Sequence, residues 1–295
     1  MILNKETDMK KAIQIAYNDL FELKCSLAAR VGFKSIAVNY TEILGKNEYD
    51  WERITERIGE ILTKNGLDCV QSHPHYYDLL ISSEIIDDDM EFAMRQSIIS
   101  SGKLGAEYCV FHPRSSISTA YRTSASFDDN RRWFESLAEC AAKHGTRVAA
   151  ENLPIFPSQS QLMPFYSSNF EDLADLVDAF GGEVGICWDF GHANLLLWDQ
   201  AKAIEFLGER IRCTHVHNNF GRRDDHATPD NGNIEWDRVM ASLASTAYSG
   251  PLTLETHCSY IDTDLLESFA SHNLACLDYL ERLFNKKRDT SPAID

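Results

Sequence analysis

The sequence has no CxxC pair among its eight cysteines, no glycine-rich phosphate loop, no GxSxG elbow and no HExxH helix. These absences remove the usual signatures of a redox dithiol, a nucleotide-phosphate cradle, an α/β-hydrolase serine and a zinc protease. Basic residues are scarce: 28 Lys and Arg stand against 45 Asp and Glu, a net charge of −17. A polyanion needs clustered cations to neutralise its phosphates, so nucleic acid is disfavoured as a partner, although a local basic patch or bound cations would still admit an anion. No apolar run approaches the length of a membrane span. The polar start MILNKETDMKK has no signal-peptide character, so the expectation is a cytoplasmic protein with no membrane contact. Cys69, Cys109, Cys187 and Cys213 lie inside apolar strand-like runs and read as small buried hydrophobes in a reducing compartment.

What the chain does contain is a repeated ending. Six apolar strand-like runs stop on a side chain that binds metals well: LDCVQSH at His73, EYCVFH at His112, RVAAE at Glu151, VGICWD at Asp189, IRCTHVH at His217 and PLTLE at Glu255. Two further strand-like runs, 11–18 and 35–40, precede them. Stretches with helical spacing of apolar residues separate the runs, over 19–33, 51–66, 87–104, 128–144, 170–180, 196–208 and 234–247, and 262–285 closes the series. Strands joined by helices run parallel, and Val, Ile, Ala and Cys in the strands fit burial on both faces. Eight strand–helix units predict a (β/α)8 TIM barrel, with residues 1–295 forming one domain whose core spans about 11–283 between short polar tails. The long loops over 74–86, 113–127, 152–168 and 218–233 each follow a ligand-bearing strand, where barrel enzymes build their pockets.

Glu151, Asp189, His217 and Glu255 end strands five to eight and are expected to meet at the barrel mouth. Three carboxylates and an imidazole suit a hard or borderline divalent ion, Mn²⁺, Mg²⁺, Co²⁺ or Zn²⁺, and no organic cofactor is indicated. Acidic residues after strands also serve as helix N-caps, a reading that competes at each position taken singly. His73, His112, His192 and the DxH step Asp224/His226 would extend the site to more metals or bind substrate oxygens. His75, His215 and His257 neighbour these candidates; His215 points to the same side of its strand as His217, so the two are open to an exchange of roles, and His257 shares the face of Glu255 one step further out, but His215 and His257 both rank below their neighbours. Arg114, Arg222 and Arg223 are candidates for a substrate phosphate or carboxylate. Tyr76, Trp188, Phe190 and Trp236 are candidates for an apolar wall against a sugar ring, with core packing the rival for Trp188.

SHPHYY (72–77), FHP (111–113), ENLP (151–154), CWDFGH (187–192), HVHNNFGRRDDH (215–226) and LTLET (252–256) together resemble the xylose isomerase-like TIM-barrel superfamily, which includes endonuclease IV and the sugar isomerases and epimerases. The likeness runs from about residue 11 to 283. It implies that Glu151, Asp189, His217 and Glu255 are the ligands of one metal, and that His73, His112, His192, Asp224 and His226 match the extra ligands of a three-metal endonuclease centre. It also implies a small sugar or polyol substrate and a tendency of such barrels to pair as homo-oligomers. Two departures stand out: Asn218 and Asn219 replace the Asp usual after the strand-seven His, and the glycine-rich turn after the DxH step keeps only Gly232.

The leading expectation is an aldose–ketose isomerase or ketose epimerase that moves a proton through an enediolate, with Glu151 and Glu255 on opposite faces of the substrate. The alternatives are inosose dehydration, which begins with the same proton abstraction, phosphodiester hydrolysis of the endonuclease IV kind with three zinc ions, and a non-catalytic metal- or sugar-binding barrel.

Overall fold

The computed structural model describes residues 9–43, 50–75, 88–115, 124–157, 162–164, 166–196, 199–256 and 262–288. Its strands are β1 (Lys11–Ala16), β2 (Ser35–Asn39), β3 (Asp68–His73), β4 (Tyr108–Phe111), β5 (Arg147–Glu151), β6 (Ile155–Pro157), β7 (Leu162–Pro164), β8 (Val184–Asp189), β9 (Ile211–Val216) and β10 (Leu252–Leu254). Its helices are α1 (Phe21–Val31), α2 (Trp51–Asn65), α3 (Asp88–Lys103), α4 (Ser124–Lys143), α5 (Phe170–Asp178), α6 (Phe190–Asn194), α7 (Gln200–Leu207), α8 (Trp236–Ser245) and α9 (Leu266–Arg288). Eight strands close in the order β1-β10-β9-β8-β5-β4-β3-β2, every neighbouring pair parallel. The TIM barrel expected from the spacing is the fold observed, and all eight predicted strands and eight predicted helices occur at their places.

Two apolar layers hold it together. Alternate residues of one strand serve different layers: Cys109 and Phe111 join the large core between barrel and helices, whereas Tyr108 and Val110 form a small cluster inside the barrel with Ala149, Cys187 and Cys213. Gln71 fills the interior beside them, accepting from Thr253 Oγ1 at 3.1 Å and donating to Cys187 Sγ at 3.9 Å. The outer layer takes the apolar faces of the helices, such as Ile54, Ile58, Ile61 and Leu62 of α2. That helix starts where the Asp50 side chain accepts from the Arg53 amide (3.0 Å) and stops at Gly66, whose φ of 62° lets its amide reach back to the last turn. The seven described cysteines are all free and buried, including Cys69, Cys109, Cys187 and Cys213, whose apolar runs predicted it. Among the described residues no helix is long and apolar enough to cross a membrane.

Three of these elements, β6, β7 and α6, escaped the periodic pattern. Residues β6 and β7 pair as an antiparallel hairpin inside the long segment after β5, and three residues a strand is too short to show alternation. The five-residue α6 follows Asp189 directly; it is shorter than two helical turns, so no apolar stripe announces it.

Close approach of α3 to the turn after α4 makes a specific demand. A Cβ on Gly102 would lie 2.0 Å from the backbone oxygen of His144. Backbone cannot swing aside as a flexible side chain does, so Gly102→Ala is expected to cost about 1–3 kcal/mol. Urea unfolding checks this; an unchanged midpoint would contradict the packing.

Candidate metal centre

Six of the ten histidines and four acidic residues gather at the C-terminal ends of the barrel strands, in three groups whose donor atoms lie within 4.8 Å of one another. The first is His73, His112 and Glu151; the second is Glu151, Asp189, His215 and Glu255; the third is His192, His217, Asp224 and His226. Parallel strands all point their C-terminal ends at one mouth, which is why residues up to about 180 positions apart meet here.

Glu151 is the hub. It is fully buried and belongs to two groups: its Oε2 lies 3.0 Å from His112 Nε2 and 4.0 Å from His73 Nε2, and its Oε1 lies 3.1 Å from His215 Nδ1 and 3.2 Å from His192 Nδ1. Glu255, just after the neighbouring strand β10, approaches the same His215 Nδ1 at 2.9 Å, and Asp189 Oδ2 lies 3.8 Å from it. The histidine that completes the Glu151–Asp189–Glu255 set is therefore His215, and the expected fourth ligand, His217, is corrected to a neighbouring place. His217 stands two residues further up the same strand face, 3.0 Å from Asp189 Oδ1 and 3.8 Å from Asp224 Oδ1. Its ring stacks on His226 with centroids 4.1 Å apart.

The side chains of His73, His112, His192, Asp224 and His226 also gather at the mouth. His73 and His112 face each other through Nε2 at 3.4 Å. His192 Nε2 and His226 Nε2 converge on Asp224 Oδ2 at 3.2 and 3.1 Å. The other nitrogens of these two rings, Nδ1, lie 2.9 Å from the Asn152 carbonyl and 2.8 Å from the Glu255 carbonyl. A carbonyl only accepts, so Nδ1 carries the proton and each ring aims Nε2 at the shared carboxylate. That is the arrangement by which backbone carbonyls orient metal-binding imidazoles. Asp224 Oδ1, buried and receiving no hydrogen bond, adds an acceptor suited to a cation. The donor set of imidazole nitrogens and carboxylate oxygens fits a divalent metal of the Mn²⁺, Co²⁺ or Zn²⁺ kind.

Neighbouring amides hold the ligands still. Asn152 accepts from the Asp189 amide (2.7 Å) and donates to its carbonyl (2.9 Å), latching β5 to β8. Asp189 Oδ1 accepts from the His192 amide at 2.6 Å, so the same carboxylate caps α6 and faces the cluster. Asn218 and Asn219, the departures from the family pattern, brace the long loop after β9. Asn218 donates to the Pro229 carbonyl (2.7 Å) and accepts from Ile234 N (3.2 Å), and Asn219 donates to the Gly191 carbonyl (2.8 Å). Gly232 is required there, because a Cβ would stand 2.1 Å from Asn218 Oδ1. Strands β1 and β2 carry no ligand but supply a relay missed in the sequence: Gln14 donates to Glu255 Oε1 (2.9 Å) and accepts from Asn39 Nδ2 (2.7 Å). Its only signal was a polar residue at an interior register of the apolar run KAIQIA.

The aromatic wall is corrected. Trp188, Phe190 and Trp236 belong to the core between barrel and helices, not to the mouth. Trp188 is 1% exposed and its indole donates to Gln200 at 3.2 Å, because it alternates with the inward-facing Cys187 and Asp189. Arg114 holds its guanidinium 5.5 Å from the Trp133 ring centroid, Arg222 is exposed in the loop after β9, and Arg223 lies 3.8 Å from Asp225. His75 is anchored through its amide to Ser97 Oγ (2.9 Å), outside the three groups. Tyr76 and His257 lie outside the described residues.

The charges are mutually dependent. Burial pushes the Glu151 carboxyl up, but His215 and His112 override it and hold it well below the usual carboxylate range. Burial pushes Glu255 the same way, and His215 again outweighs it, so Glu255 also lies low. For His215, burial lowers the pKa while Glu255 and Glu151 raise it, leaving it well above the ordinary imidazole value. His192 is raised likewise against burial, by Asp189 and Asp224. His226 rises to about 9, Asp224 and Glu255 outweighing burial. His73 goes the other way, to about 4, through burial and the neighbouring His112.

A family model described as "Xylose isomerase-like TIM barrel" matches residues 25–277. The chain is 34% identical over 133 residues to "Uncharacterized protein y4fM" of Sinorhizobium fredii (strain NBRC 101917 / NGR234), covering 44% of this chain and 38% of that protein. It shares its fold with a structure described as a D-tagatose 3-epimerase-like protein (TM-score 0.69, 20% identity, 93% of this chain and 98% of that one). It also shares it with an L-ribulose 3-epimerase (TM-score 0.70, 19% identity, 97% and 99%).

Two outcomes follow. Metal ligation needs neutral imidazole, and at pH 7 the raised His192, His215 and His226 hold protons while the lowered His73 does not. Loading the metal-free protein with Mn²⁺ or Zn²⁺ at pH 7 is therefore expected to release protons, and affinity to rise with pH towards about 9. Calorimetry in two buffers of different ionisation enthalpy measures the release, and identical heats would refute it. Replacing Gln14 by Leu removes the donor that orients Glu255 and is expected to weaken metal binding by roughly 10–100-fold with the fold intact.

Proposed function

The chain belongs to the xylose isomerase-like TIM-barrel family, and from that premise we propose that it is a divalent-metal-dependent isomerase or epimerase of a sugar or sugar-like hydroxyketone. One observation carries the reading: two glutamates from strands that are not neighbours, Glu151 at the end of β5 and Glu255 just after β10, both reach one imidazole nitrogen, His215 Nδ1, at 3.1 and 2.9 Å. A substrate between them would meet a carboxylate on each face. The epimerase descriptions of the similar barrels support the same class.

Glu151, Asp189, His215 and Glu255 would hold the ion. When bound, it supplies Lewis-acid polarisation of a carbonyl and its neighbouring hydroxyl, which acidifies the intervening C–H. One glutamate then takes the proton from that carbon, and the other returns a proton to the opposite face for epimerisation, or a proton goes to the adjacent carbon for isomerisation. Two carboxylates serve because each needs only one oxygen for the proton: one would enter ionised and accept it, and the other would enter carrying the proton that it returns. Gln14 and Asn39 keep Glu255 from turning away. His192, in the adjoining group, would hold a substrate hydroxyl.

A second reading has its own support. Glu151 is shared between two ligand groups and a third adjoins them through His192, so the donors match a three-ion centre for phosphodiester hydrolysis. The net charge of −17 opposes it, because a DNA phosphate backbone would be repelled.

The test is incubation of the protein loaded with Mn²⁺ or Co²⁺ in deuterated water with a panel of ketoses and inososes. Deuterium is expected at the carbon beside the carbonyl, and Glu151→Gln or Glu255→Gln is expected to lower that exchange by roughly 10²–10⁴-fold. No uptake into any substrate, together with cleavage of an abasic oligonucleotide, would transfer the assignment to the hydrolytic reading.

A further inference from the structure

Away from the barrel mouth, a second group of donors closes on one point. Asp230 Oδ1 lies 3.0 Å from His272 Nε2 and 3.6 Å from Cys276 Sγ, and Cys276 Sγ lies 3.7 Å from His272 Nε2. His272 and Cys276 share a face of α9 at i and i+4, and Asp230 comes from the loop after β9. Each residue uses a single atom for both of its contacts. A Cys–His–Asp proton relay needs both ring nitrogens, one for the acid and one for the thiol; here the same Nε2 faces both, and the three atoms form a closed triangle.

That triangle has the dimensions of a cation site. Zinc bonds of about 2.3 Å to sulfur and about 2.0–2.1 Å to nitrogen and oxygen, set at tetrahedral angles, give ligand–ligand edges of roughly 3.3–3.6 Å. The two sulfur edges match, and the oxygen–nitrogen edge is shorter by a few tenths of an ångström, the length of a hydrogen bond that a cation would replace. Cys276 is 8% exposed, whereas the side chains of His272 and Asp230 are 50% and 57% exposed, so an ion reaches the site from solvent and water can fill a fourth position.

We propose that Asp230, His272 and Cys276 form a separate site for a zinc-class divalent cation, which fastens the loop after β9 to α9. The loop is the one that carries Asp224 and His226, four to six residues before Asp230. Its neighbouring anchors are the hydrogen bonds of Asn218 and the Trp236 indole to the Pro229 carbonyl, both 2.7 Å. A cation at Asp230 extends that anchorage to the last helix. The proposal is independent of the reaction at the barrel mouth.

Among the described residues the three groups at the mouth contain no cysteine, and it is the loss of a thiolate signal in Cys276→Ser that assigns the signal to this site. The intact chain is titrated with Co²⁺ beyond the amount that fills the mouth. A thiolate-to-cobalt charge-transfer band is expected, lost in Cys276→Ser. Asp230→Asn, a change at an exposed side chain that leaves the core untouched, is expected to weaken the band's cobalt affinity by about tenfold or more, since removing a direct ligand costs at least as much as removing its support. Zinc analysis after gel filtration is expected to find one ion fewer per chain in Cys276→Ser than in the parent protein. No band in the parent chain, a band that survives Cys276→Ser, or equal zinc content would each overturn the proposal.

Discussion

Four carboxylates brought together out of water repel one another, and the site persists only because imidazoles interleave them. Glu151 has the severest case, with essentially no exposure and four histidines around it. A charge so buried is tolerated only when paired and hydrogen-bonded. The pairing is reciprocal: the histidines lower the carboxylates, and the carboxylates raise His215, His192 and His226. Protons on those rings and metal ions in the same space are therefore alternatives, each satisfying the same negative charge.

The rest of the barrel mouth keeps this cluster in place by amides rather than charges. Asn152, Asn218, Asn219, Gln14 and Asn39 each tie a side chain or backbone segment of the mouth to another element. A neutral amide donates and accepts at once and adds no charge to a site already crowded with it. Asn218 shows the point: its side chain donates to Pro229 and accepts from Ile234, which a carboxylate in the same place could not do. Asp189 combines two roles that the sequence presents as rivals, since one carboxylate caps α6 and also faces the cluster.

The cost of the arrangement falls on small residues. Gly191 lets His217 approach, because a Cβ there would stand 1.9 Å from its ring, and Gly232 lets the loop fold over Asn218. These glycines, Asn152 and the caps of α6 are the parts that make the imidazoles of the third group meet. In the second group the support comes from the first two strands, whose polar interior residues carry no metal-binding group of their own.

The eight alternating units, the TIM-barrel fold and the acidic and histidine residues at strand ends were legible in the chain, because apolar periodicity is local and parallel strands send all their C-terminal ends to one mouth. The choice between His215 and His217 was not legible. Both point inward from the same strand, and which ring meets Glu151 and Glu255 depends on their height along the barrel, set by strand tilt and stagger. The same limit hid the direction of Trp188, the five-residue α6, the Gln14 relay and the meeting of Asp230 with His272 and Cys276. Sequence determined which chemical groups arrive at the mouth; only the closure of the barrel decided which of them touch, since contact between residues from different strands is fixed by register and not by spacing along the chain.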